Sequence, residues 1–121
     1  MDKKILFVDT YGMNRGRTFA EMFESMDICL HVNYKGIDSS TKAFNRFLTQ
    51  EDLDMYDAIF CMSSEQQMFI YRNYENINNC FNKVVKIGVE NHYTYNSPEL
   101  IRVASFWFES WENPLINCLC T

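Results

Sequence analysis

The sequence is short of glycine and proline, with four and two in 121 residues. It therefore holds no Gly/Ser-rich or Pro-rich linker at which a chain of this size would divide, and no internal repeat. One domain over 1–121 is the expectation, long enough to bury a real core. No apolar run approaches the roughly 18–20 residues that a membrane helix needs. Met1-Asp2-Lys3-Lys4 is too brief a prelude for a signal peptide. Positive charge is also scarce. Eleven Lys and Arg against sixteen Asp and Glu leave a net charge of −5. The cations are scattered rather than gathered in a stripe, which argues against nucleic acid or an anionic membrane surface as a partner. The pattern Cys-x-x-Cys is missing too. Five cysteines, at 29, 61, 80, 118 and 120, are odd in number, and they fit reduced thiols in a cytoplasmic protein. No cofactor and no metal set is implied.

What the chain does have is aromatic residues and a regular alternation of apolar segments. Ten Phe, seven Tyr and two Trp accompany twelve Asn, a composition that suggests an AT-rich source such as a virus. Ile5–Val8 and Ala58–Met62 are continuous apolar runs, as buried parallel strands are. Ile28, Leu30, Val32 and Tyr34 alternate with polar residues, which predicts a half-buried strand holding Cys29 and His31. A further strand is expected over Lys83–Val89, closing near Gly88. Helical spacing joins Phe19, Met22, Phe23 and Met26, and Ala43, Phe44, Phe47 and Leu48 predict a short helix. Thr49 with Asp52 reads as a capping box for a helix through Met55, and Ser63 with Gln66 (or Ser64 with Gln67) caps one carrying Met68 and Tyr71. Ser97 and Pro98 open a last helix with Leu100, Ala104, Trp107, Phe108 and Trp111 on one stripe, stopped by Pro114. Phe106 points off that stripe and, with Leu115, Ile116 and Leu119, could form a contact patch. The expected fold is α/β, a four-stranded parallel sheet with helices on both faces.

In such sheets ligands bind at the carboxyl ends of the strands, where Asp9, Thr10, Tyr11, Gly12, Met13, Asn14, Arg15 and Arg17 fall. A strand, a polar loop and a helix N-terminus aim backbone N–H groups and the positive helix end at one spot, which is an anion cradle. His92, Tyr93, Tyr95 and Ser97 lie in a loop expected at its rim.

The stretch from Ile5 to Glu21 closely resembles the active site of the low-molecular-weight protein tyrosine phosphatases. That family carries a Cys at the strand end, five loop residues, an Arg, and a helix bearing Ala-Glu. Here the same spacing joins Asp9 to Arg15, with Ala20-Glu21 one residue late. Leu48–Leu53 and Tyr56–Met62 look like the family's entry into its third strand. Val89–Ile101 is similar to the tyrosine-bearing loop and Pro-Glu-Leu helix start of a predicted bacterial subgroup. The resemblance covers most of the chain. It implies that Asp9 stands where the attacking thiolate would be, and Ser97 where an Asp would protonate the leaving phenol. Both catalytic roles are then vacant.

This leads to a catalytically inactive phosphatase-like protein acting as a protein-binding or inhibitory module, of undetermined oligomeric state. One alternative is a protein that binds a nucleotide or other small anionic ligand. Another is a residual phosphatase using Asp9, because an apolar strand followed by Asp-x-x-Gly also resembles the first motif of haloacid-dehalogenase-type phosphatases. That motif requires a second carboxylate two residues on, where this chain has Tyr11. In the inactive reading Asp9 fills the cradle itself, accepting loop N–H groups and a charge-assisted bond from Arg15, with its pKa depressed.

Overall fold

The computed structural model describes residues 3–12, 14–25, 30–74, 84–89 and 93–106. Four strands, β1 (Lys3–Asp9), β2 (Leu30–Gly36), β3 (Ala58–Cys61) and β4 (Val84–Lys86), form one sheet in the order β2-β1-β3-β4. Every pairing is parallel, with Ile5 opposite both Val32 and Ala58, and Ile59 opposite Val84. Because successive side chains alternate across a strand, the apolar run of β1 serves two cores. Ile5 and Phe7 join Phe60, Met62 and the helical residues Phe19, Phe23, Leu100 and Ala104 on one face. Leu6 and Val8 join Ile59, Cys61, Leu53 and Ile70 on the other. Phe7 is the centre of the first cluster, with ring centroids 5.8, 5.9 and 5.5 Å from Phe19, Phe23 and Phe60. Cys61 is fully buried, and burial pushes its thiol up to about 12, so it behaves as a small hydrophobe.

The helices follow from their caps. Helix α1 (Arg15–Glu24) and the helix over 98–106, here α4, cover one face; α2 (Gln50–Met55) and α3 (Ser64–Asn73) cover the other. Thr49 and Asp52 form the expected capping box. Of the two readings for α3, the pair Ser63–Gln66 is the one realised. Met68 and Tyr71 face outward on that helix, while Gln66 and Ile70 are buried. Ser97 Oγ accepts the Leu100 N–H and opens α4. Among the described residues no helix is long and apolar enough to cross a membrane.

Two expected elements differ. The short helix expected from Ala43, Phe44, Phe47 and Leu48 is instead a 3-10 turn over Ser39–Phe44, followed by extended chain. Asp38 accepts the Ser40 N–H with its side chain and the Thr41 N–H with its carbonyl, winding the turn early. Asn45 then takes φ 57°, and on the returning chain Arg46 O accepts the Gly36 N–H while Leu48 N donates to Gly36 O. Leu48 is buried by this route and Phe44 is left outside. The fourth strand is shorter than Lys83–Val89. Beyond Lys86 the chain stays hydrogen-bonded, with Ile87 N donating to Cys61 O and Val89 N to Met62 O, but Gly88 at φ 88° ends the ladder. Met13, Met26, Ile28, Cys29, Cys80, Lys83, His92, Trp107, Phe108, Trp111, Pro114, the apolar tail and Cys118 and Cys120 lie outside the described residues.

Candidate functional site

β1 has β2 on one side and β3 on the other, so its carboxyl end lies where the strand order reverses. Asp9 ends β1 there with 1% of its surface exposed. The loop after it curls round the carboxylate. Gly12 N donates to Oδ1, while Asn14 N (3.3 Å) and Gly16 N (2.9 Å) donate to Oδ2. Gly12 can close this curl because it adopts φ 70°. The loop is pressed against the end of β2. A Cβ on Gly36 would lie 2.6 Å from Gly12 N and 2.8 Å from the Tyr11 carbonyl carbon, both backbone atoms unable to step aside.

Asp9 and Arg15 differ from the sequence expectation in two ways. The Arg15 guanidinium does not bond the carboxylate. It is itself 1% exposed, and it donates to Val89 O at 2.7 Å and more weakly to Thr10 Oγ1 at 3.4 Å. The Asp9 pKa is raised rather than depressed. Burial pushes it up and outweighs the N–H groups of Gly16 and Gly12, the Arg15 charge and the Asn14 N–H, which pull it down. Arg15 is lowered for the same reason, burial, against the Asp9 and Glu65 charges.

Thr10 joins the loop to α3, a link that residue patterns did not reveal. Its hydroxyl donates to Glu65 Oε1 at 3.2 Å and accepts from Gln66 Nε2 at 3.0 Å. In the sequence Gln66 reads only as a helix cap. The rule that strand ends converge would have pointed to it, since Ser63–Gln66 directly follow β3.

Arg17, two residues past Arg15, faces the other way. Its guanidinium carbon stands 4.1 Å from the Tyr95 ring centroid and 6.0 Å from that of Tyr34. Its Nε is 3.6 Å from Glu21 Oε2, and the Tyr95 hydroxyl donates to Glu21 Oε1. That hydrogen bond is the main reason the Tyr95 phenol is pushed up. Arg46 also packs on Tyr34, with its guanidinium carbon 4.2 Å from the ring centroid. Thr18 Oγ1 accepts the Asn96 N–H at 2.9 Å and holds the Tyr95 loop over α1. The expected rim is thus only partly a rim. Tyr93 is half-buried against the first core cluster, Ser97 caps α4, and Tyr11 is exposed.

Solved structures share this fold. The low-molecular-weight protein tyrosine phosphatase of T. tengcongensis superimposes with a TM-score of 0.69 at 17% identity, covering 97% of this chain and 99% of that one. The YwlE arginine phosphatase of Geobacillus stearothermophilus gives 0.66 at 17% identity over 97% and 92%. The low-molecular-weight tyrosine phosphatase of Campylobacter jejuni gives 0.64 at 20% identity over 94% and 96%. The chain has the low-molecular-weight tyrosine phosphatase fold. No protein-family model and no curated protein sequence matches it.

Both Asp9 oxygens already accept N–H groups, and the carboxylate is out of solvent. Among the described residues there is no group of three or more His, Cys, Asp or Glu side chains that could hold a metal ion. The N–H groups of Gly12, Asn14 and Gly16 thus converge on the Asp9 carboxyl group.

Proposed function

We propose that the chain is a catalytically silent phosphatase-fold module that works by binding another protein, as an interaction or inhibitory partner. The observation that carries this is the convergence of the Gly12, Asn14 and Gly16 N–H groups on Asp9. In the resemblance, that position belongs to the attacking thiolate. A carboxylate there supplies no thiolate, and it repels the substrate. At about 4 Å and an effective dielectric near 20, a like-charge pair costs on the order of 4 kcal/mol, and a dianion about twice that. The burial that raises the Asp9 pKa does not make the residue a nucleophile, because both its oxygens are engaged. The position of the general acid is Ser97, whose oxygen caps α4.

The test is turnover of p-nitrophenyl phosphate between about pH 5 and 8, the range in which such acid–base chemistry operates. No saturable hydrolysis is expected. Metal-independent turnover that disappears in Arg15→Lys, with the fold intact by circular dichroism, would overturn the reading. Mg²⁺-dependent turnover abolished by Asp9→Asn would replace it with an aspartyl-nucleophile enzyme.

A further inference from the structure

We propose that Arg17 is the recognition group for a carboxylate-rich segment of the partner protein. The inference rests on the binding reading above and gives its partner a chemistry. Among the described residues, Arg17 Nε is the buried side-chain nitrogen that lacks a hydrogen-bond partner. A buried donor of this kind calls for a ligand or water. Glu21 Oε2, at 3.6 Å, is too distant to serve as one. The terminal amino groups form no hydrogen bond among the described residues either, and the side chain as a whole is 31% exposed although its Nε is buried.

Its plane is nevertheless held. Tyr95 packs on the guanidinium at 4.1 Å, Tyr34 lies at 6.0 Å, and Arg46 packs on the Tyr34 ring at 4.2 Å. A pre-set, unsatisfied guanidinium fork matches a planar carboxylate in a bidentate pair. Arginine and tyrosine together are the residues that dominate binding energy at interfaces. Arg17 and Arg46 place two positive charges at this spot on a chain whose net charge is −5, so the charge complementarity is local and directional. Glu21 acts as an internal competitor, occupying the Nε side loosely until a better-placed carboxylate arrives. A phosphate dianion fits less well, because Glu21 lies beside the guanidinium and repels a dianion more than a single carboxylate.

The test is fluorescence anisotropy with a labelled Asp/Glu-rich peptide, its Asn/Gln counterpart, and a phosphotyrosyl peptide that is otherwise neutral. The acidic peptide should bind at least about tenfold more tightly than the amide peptide, and weaken as salt is raised. Arg17→Gln should lose that preference. Arg17→Lys should recover only part of it, because an ammonium cannot make the fork. Glu21→Gln should tighten acidic-peptide binding by removing the competitor, a gain that a merely structural Arg17 would not produce. Circular dichroism melts confirm that the variants fold. Equal binding of acidic and amide peptides, no effect of Arg17→Gln, or a preference for the phosphotyrosyl peptide would each overturn the proposal. These outcomes are separable from aryl phosphate hydrolysis, which would sink the binding-module reading and is scored in a different assay.

Discussion

Arg15 and Arg17 leave the first turn of one helix in opposite circumstances. Arg15 is buried among loop and strand ends and donates to Val89 O and Thr10 Oγ1, tying α1 to the chain beyond β4. Arg17 lies beside the Tyr95 and Tyr34 rings, partly exposed, with a buried Nε that no acceptor among the described residues reaches. The loop side of the site is closed upon itself and belongs to the fold. The α1–Tyr95 side is pre-arranged but unsatisfied, and belongs to a surface.

The largest effect should come from breaking the closed side. Arg15→Ala removes a buried cation, leaves Val89 O without its donor and isolates the Asp9 charge. We expect a loss of about 3–5 kcal/mol in urea unfolding, the scale for removing one partner of a buried charge arrangement. Arg17→Ala should cost less than about 1 kcal/mol, as exposed ion pairs and cation–π contacts do. Equal losses at the two positions would abolish the distinction.

Next in size is Asp9 itself. Asp9→Ala strands the Gly12, Asn14 and Gly16 N–H groups and should destabilise by about 1–3 kcal/mol. Added phosphate or sulfate should restore stability to this variant more than to the parent, because the vacated donors then have an anion to bind. An identical response of parent and variant to the anion would show that the loop is no longer a cradle once Asp9 is gone.

These contrasts were unevenly legible in the amino-acid pattern. The sheet was readable because β1 and β3 are buried on both faces and therefore run as unbroken apolar stretches. The capping boxes at Thr49–Asp52 and Ser63–Gln66 are local, so adjacent residues suffice to find them. The helix expected near 43–48 failed for a local reason as well: its apolar spacing was helical, but Asp38 and Asn45 set turns that the spacing ignores. The position of the loop after β1 is legible in the sequence, and its inner wiring is not. Arg15 bonds a carbonyl 74 residues away, and Thr10 bonds side chains 55 and 56 residues away. The direction of the Asp9 pKa depends on how deeply the fold buries it, which charge and hydrogen-bond counting along the sequence leaves out.

That direction gives a smaller, sharper prediction. A carboxyl whose folded pKa lies above its unfolded value, near 3.9, contributes stability that is fully present below the unfolded value. The contribution is lost as pH rises through the folded value. Each unit of difference amounts to about 1.4 kcal/mol. The penalty of Asp9→Ala should therefore be larger in acid than at neutral pH, measured as the difference between the two urea midpoints across a pH series. A penalty that grows toward neutrality would mean that the loop N–H groups and Arg15 outweigh burial after all.

The smallest effect is expected at Tyr95, where ring and hydroxyl do separate things. The ring stacks on Arg17, and the hydroxyl holds Glu21. Tyr95→Phe keeps the stack and releases Glu21, which then has only the Arg17 Nε to approach. Tyr95→Leu keeps apolar bulk but removes the aromatic face on which the guanidinium rests. Neither substitution touches the buried cores, so both melting temperatures should move less than in any variant above. The difference should show instead in the Arg17 Nε–H resonance. It should shift yet remain sharp in Tyr95→Phe, and broaden in Tyr95→Leu as the guanidinium samples several orientations. A sharp, unshifted resonance in Tyr95→Leu would mean that Tyr34 and Arg46 alone fix Arg17, and that the tyrosine loop is not part of the unsatisfied side.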